Sequence, residues 1–181
     1  MRLRRSPRRS RMPTSLAAQL GQRRLAETPV SQDGSCWAVV TAYHLVIVSL
    51  DSQPHRLPWD QVEHGSWNAE ERVFRLRRTG RQDELVLQVP GGLHQEGRYI
   101  PVDVTAFARA LRQRVEAALV HSAVITLPSG QAASASVRRD ATGTLYSVTS
   151  PPLHQVAGTA DEAALRELER QTRSTVGLPT N

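Results

Sequence analysis

Six histidines, His44, His55, His64, His94, His121 and His154, are the side chains best suited to proton transfer or metal binding near neutral pH. They fall one per segment, none in a His-x-x-x-His pair, and Cys36, the single cysteine, has no Cys-x-x-Cys mate. Closely spaced ligands are what make a zinc site legible in sequence, so no metal is expected. His55, His64 and Cys36 could meet only through tertiary folding. The plainer expectation is histidines hydrogen-bonded to neighbours.

Acidic pairs are no better placed for catalysis. Glu70-Glu71 and Asp83-Glu84 fall at expected hairpin ends. Asp161-Glu162 falls in the first turn of an expected helix, where negative charge favours the helix dipole. Asp60 and Glu63 would face opposite sides of one strand. Gly34-Ser35-Cys36 and Gly65-Ser66-Trp67 lack the second glycine and the helix of a nucleophile elbow. Pro90-Gly91-Gly92 opens no helix, so it is no phosphate cradle. All 23 basic residues are arginine, which removes lysine-based phosphate, Schiff-base and Ser-x-x-Lys chemistry together. The expectation is a protein that is not an enzyme, with no catalytic residue, cofactor or metal.

The arginines themselves are unevenly spread. Eight lie in the first 24 residues, where there is no acid, and the remaining 15 face 17 acids, so the body carries −2. Arginine suits bidentate phosphate contacts, but the lack of lysine in body and tail alike reads first as codon bias. Arg2, Arg4, Arg5, Arg8, Arg9 and Arg11 are candidate anion contacts for weak, salt-dependent attachment to nucleic acid or anionic lipid. Translation from Met12 would remove all six and bring the net charge from +6 to zero. In the body, Arg72, Arg75, Arg77, Arg78 and Arg81 form one basic cluster, of which Arg75 and Arg77 are candidate anion contacts. Glu70, Glu71, Asp83 and Glu84 flank it, so cross-strand ion pairs are the stronger expectation.

Elements must position whatever works here. Residues 1–23 read as a disordered arginine-rich tail with a helical turn at most around Leu16–Leu20. Residues 24–150 read as one domain and 151–181 as an extension with a short helix. Leu25–Val30 suits an edge strand, and Trp37–Thr41 with His44–Val48 an antiparallel pair. Leu57-Pro58-Trp59 leads into a strand over Asp60–Trp67, and Arg72–Arg78 alternates Phe74 and Leu76 with arginines. Leu85, Leu87 and Val89 form the buried side of the next strand, and Pro90–Pro101 reads as an irregular loop.

The period then changes. Val104, Phe107, Ala108, Leu111, Val115, Ala118 and Leu119 follow helical spacing, with Asp103 or Thr105 as cap. Val124–Leu127 suits a strand, and Ala133–Arg138 with Thr144–Thr149 a hairpin. Thr159-x-x-Glu162 is a capping box before a helix whose Leu165 and Leu168 stripe predicts light docking. Glu162–Arg166 and Glu169–Arg173 are its i,i+4 pairs. The fold class is α+β, a strongly bent antiparallel sheet capped by one amphipathic helix, with an extra C-terminal hairpin. No stretch is apolar enough to span a membrane, and a cytoplasmic location is expected. Trp37, Trp59 and Trp67 are expected in the core, with a ligand-lining cluster as the rival account.

Gly34-Ser-Cys-Trp-Ala-Val-Val-Thr41, Leu57-Pro-Trp-Asp-Gln-Val-Glu63 with Trp67, and the helix Val104–Leu119 resemble a group of small uncharacterised actinobacterial proteins with a pleckstrin-homology-like (PH/GRAM-like) domain. The resemblance covers residues 24–149. It implies a partly open barrel closed by the helix, and a non-catalytic module that binds a protein or peptide partner. It carries over no functional residue. Relatives that hold phosphoinositides use bases between the first two strands, whereas Pro29–Ser35 here has one acid and no base. The segment Pro90–Pro101 is an insertion by that comparison.

Overall fold

Central strands need apolar residues on both faces, and Cys36-Trp-Ala-Val-Val-Thr41 has them. In this computed structural model, which describes residues 10–81 and 83–180, these residues form β2 (Cys36–Thr41). β2 lies between β1 (Arg24–Pro29) and β3 (His44–Ser49), antiparallel to both, with Trp37 opposite Pro29 and Val48. β4 (His55–Pro58) completes a four-stranded sheet in sequence order. Trp37 to Thr41 are all buried, so the expected pair becomes the middle of a sheet, with Pro29 on the edge strand where its missing N–H is tolerated.

One expectation changes at the start of the chain. The tail does not stay unstructured to residue 23, because Thr14–Ala17 forms α1 and Met12, Leu16 and Leu20 are buried. Their four-residue spacing puts three apolar side chains on one side of the turn. The segment is also tied down by hydrogen bonds. The Arg56 guanidinium donates to the Leu20 carbonyl at 3.0 Å, and the Gln95 side-chain amide donates to that of Arg11 at 2.7 Å. Residues 1–9, with Arg2, Arg4, Arg5, Arg8 and Arg9, lie outside the described residues.

The strand expected from Asp60 is delayed by a 3-10 turn at Trp59–Gln61. β5 (Val62–Asn68), β6 (Val73–Arg78) and β7 (Glu84–Gln88) then form a three-stranded sheet. Pro90–Pro101 is not an irregular loop either. β8 (Gly92–Gln95) and β9 (Arg98–Pro101) pair antiparallel across Glu96-Gly97. Both turn residues have positive φ, 52° and 71°, the backbone of a tight two-residue hairpin turn.

α2 (Thr105–Ala118) matches the predicted helix, buries Phe107, Leu111 and Ala118, and starts where Asp103 Oδ1 accepts the Thr105 N–H at 2.9 Å. β10 (Leu119–Thr126) follows it directly. β10, β11 (Ala132–Arg139) and β12 (Leu145–Ser150) form an antiparallel three-stranded sheet in sequence order. What reads as an appended hairpin is therefore the centre and one edge of a sheet.

α3 (Ala160–Thr175) is neither short nor lightly docked. Leu165 and Leu168 are buried with Leu127, Ala133, Ala135 and Val156 in one apolar cluster, because alanines on β11 let the helix come close. The capping box is replaced by other bonds: Thr159 Oγ1 donates to the Val156 carbonyl, and Glu162 accepts the Gly158 N–H. Glu162 does pair with Arg166 at 2.7 Å, whereas Glu169 accepts the Ser147 hydroxyl instead of binding Arg173.

Among the described residues the fold is α+β with four sheets and three α-helices. The sheets replace the single bent sheet expected, and none is a closed barrel among the described residues. No helix among those residues is long and apolar enough to cross a membrane. The chain divides into two compact units. The first comprises the described residues up to Leu57 with Gly65–Leu76 and Leu85–Arg112. The second comprises Pro58–His64, Arg77–Glu84 and the chain from Gln113.

Candidate binding groove

Within the first unit, one side of α2 leaves apolar surface uncovered. Thr105, Ala108, Arg109 and Arg112 recur at helical spacing on one stripe. With Gly65, Ser66 and Trp67 of β5, Phe74 of β6 and Leu111, they line a groove of about 350 Å³. At its edge Gly65 lets Leu76 and Leu111 pack close against β5. A Cβ there would lie 2.9 Å from Leu76 Cδ2 and 3.0 Å from Leu111 Cδ2, closer than side chains normally pack.

The groove has an aromatic floor. The Trp67 and Phe74 rings lie 4.4 Å apart, and Phe74 meets Phe107 edge-on at 5.1 Å. Such contacts add about 0.5–1.5 kcal/mol beyond area burial and hold the rings in fixed orientations. Arg72 supports the same wall, its guanidinium 5.8 Å from the Trp67 ring centroid. It cannot swing away freely, because it donates to the carbonyls of Val89, Pro90 and Val102 at 3.1–3.3 Å. Its own φ of 53° is unusual for a residue with a side chain. Arg109 and Arg112 are exposed, and no acid is among the lining residues. The groove can therefore take an apolar side chain against Trp67 and a carboxylate beside Arg109.

The other singled-out residues lie elsewhere. Arg75 pairs with Glu71 at 3.0 Å and Arg77 with Glu63 at 3.1 Å, and Arg78 pairs with Asp83. Glu71 and Asp83 are among the flanking acids expected as partners, whereas Glu63 on β5 was not, and neither Arg75 nor Arg77 lines the groove. Arg11 is exposed, with its N–H donating to Gln95 Oε1. No group of three His, Cys, Asp or Glu among the described residues could hold a metal ion. Cys36 is half-buried, and burial raises its thiol pKa, which leaves it a poor nucleophile. Of the tryptophans, Trp37 and Trp59 are core. Trp37 donates its indole N–H to the Gly34 carbonyl at 2.9 Å, and Trp67 alone reaches the groove.

The second unit holds a buried polar cluster that sequence reasoning passed over. Tyr146 donates to Asp60 Oδ2 at 2.6 Å, and buried Arg138 donates to the Val62 carbonyl. Burial and then the Asp60 bond push the Tyr146 hydroxyl above its ordinary pKa, while burial pulls Arg138 down. The cluster binds the 3-10 turn to β11 and β12, a structural task. Sequence reasoning also missed the groove residues Gly65, Arg109 and Arg112. The available signal was the small Ala108 between Thr105 and Arg112 on one helical stripe. Set against family models, curated proteins and solved structures, the chain matches none.

Proposed function

We propose that the protein is a non-catalytic interaction module of PH-like type, and that the groove beside α2 holds an extended segment of a protein or peptide partner. The observation that carries this is the groove itself: a half-exposed Trp67 stacked on Phe74, with the exposed Arg109 among its lining residues. The order of four sheet strands and three sheet strands, followed after the β8–β9 hairpin by a helix, supports the PH-like part of the reading. A helix-flanked groove is a common peptide-binding mode. The partner segment carries an aromatic or large aliphatic side chain next to one or two carboxylates.

The test is a fluorescence-anisotropy titration with three labelled peptides, acidic-aromatic, neutral-aromatic and basic-aromatic. The acidic-aromatic peptide should saturate, and Ala108→Glu and Arg109→Glu should each weaken it by at least about tenfold at unchanged urea midpoint. Binding that is absent, or indifferent to both substitutions, refutes the reading.

A second reading rests on the acid-free arginine run before residue 25. Attachment to DNA through it would lose about 0.9 in log affinity per log unit of salt for each phosphate neutralised. Deleting residues 1–11 should abolish that salt dependence and leave peptide binding intact. Salt-dependent binding that survives the deletion refutes it.

A further inference from the structure

Sheet edges can accept a strand from another chain, and folded proteins usually guard them with charge, proline or bulges. Most edges here are guarded. β1 carries Arg24, Glu27 and Pro29, β4 carries Arg56 and Pro58, β7 begins at Glu84, and β9 carries Arg98 and Pro101. β10 is different. It is an edge strand of eight residues, Leu-Val-His-Ser-Ala-Val-Ile-Thr, with no acid, arginine, proline or glycine.

Its register with β11 runs unbroken from His121 to Thr126, and the one irregularity lies at its start. Ala123 and Ile125 pack on the apolar cluster under α3. Ser122, Val124 and Thr126 alternate with them and are exposed, Val124 at 71%. The opposite edge, β12, is also uncharged but is shorter and runs into Pro151-Pro152. Its Tyr146 and Ser147 are engaged by Asp60, Glu169 and Arg173.

We propose that β10 is the interface of a homodimer, in which a second copy of the chain adds its own β10 antiparallel to the first. The charge pattern selects this occupant. About a two-fold axis, a charged residue near the axis meets its own image at close range. β10 offers a long strand that meets its image with no like-charge pair. An axis perpendicular to the sheet also keeps the core faces of both copies on one side, each beneath its own α3. Ser122, Val124 and Thr126 of one copy then lie against the same set of the other, and β-branched residues pair well across strands. The result is a continuous six-stranded sheet. This inference stands apart from the groove and from its ligand.

Sedimentation equilibrium of the full chain over a concentration series tests it. The expected result is a species of twice the 20.0 kDa chain mass. Val124→Lys should weaken the dimer about tenfold or more by placing lysines across the axis. Ser122→Lys, also at an exposed position, should do the same, and far-ultraviolet circular dichroism should show both variants folded. In the wild type, exchange protection of the β10 amides should rise with protein concentration. A monomer at every concentration, or a dimer that neither lysine weakens, overturns the proposal.

Discussion

The two long helices meet their strands in contrasting ways. α2 sends Phe107 and Leu111 inward over the buried Phe74, but beside it Trp67 stays partly uncovered. α3 lies against Ala133 and Ala135, small enough for Leu165 and Leu168 to seat fully. Its polar residues are engaged as well. Asp161 accepts the Ser129 N–H, Glu169 accepts the Ser147 hydroxyl, and the buried Thr172 donates to the Leu168 carbonyl. A ring left half-exposed beside a helix makes a surface, whereas small residues opposite leucines make a seal. The first arrangement suits recognition and the second suits stability.

Substitutions can break that contrast, beginning with the seal. Leu165→Ala should cost about 2–5 kcal/mol in urea unfolding, the range for a fully buried leucine in a core that cannot collapse. A loss below about 1 kcal/mol would make α3 the lightly docked extension that its narrow stripe suggests. Arg138→Ala comes next. It removes the donor to the Val62 carbonyl and a charge beside Asp60, for about 1–3 kcal/mol in the same assay. On the recognition side, Gly65→Ala forces Leu76 and Leu111 to shift, at about 1–3 kcal/mol, and should shrink the groove enough to weaken peptide binding.

Smaller effects test the loop that supports Trp37. Ser31 and Ser35 hold the Asp33 carboxyl at about 2, below its ordinary 3.8. The folded state thus binds this proton less readily than the unfolded chain. The resulting stabilisation is complete above the unfolded pKa and fades as pH falls toward the folded one. The urea-midpoint gap between the wild type and Asp33→Asn should therefore narrow over that acidic window and stay constant above it. Arg77→Gln should give the smallest change, under about 1 kcal/mol, because its ion pair with Glu63 is largely solvated on the arginine side.

Much of the strand order was legible, and the reasons are local. Trp37–Thr41 and His44–Val48 are dense in β-branched residues, and α2 shows a clear period change after Pro101. The Glu96-Gly97 turn was harder, since only the glycine advertises positive φ and Glu96 adopts it under hairpin constraint. The docking of α3 was hidden because the decisive residues, Ala133 and Ala135, sit on a strand and look unremarkable. Met12 and Leu16 read as tail because charge counts outweigh a few apolar residues at four-residue spacing. The groove left only faint signals, the small Ala108 on its helical stripe and Trp67. It depends on Gly65 and Ala108 lying beside rings that only tertiary folding brings together.

The groove is therefore the place to test most directly. Backbone amide chemical shifts of the labelled protein, followed during titration with the acidic-aromatic peptide, report where binding occurs. Shifts should concentrate at Gly65–Trp67, Phe74 and Thr105–Arg112, and should vanish in Ala108→Glu. Shifts that scatter over β11, β12 and α3, or that persist in that variant, would contradict the account.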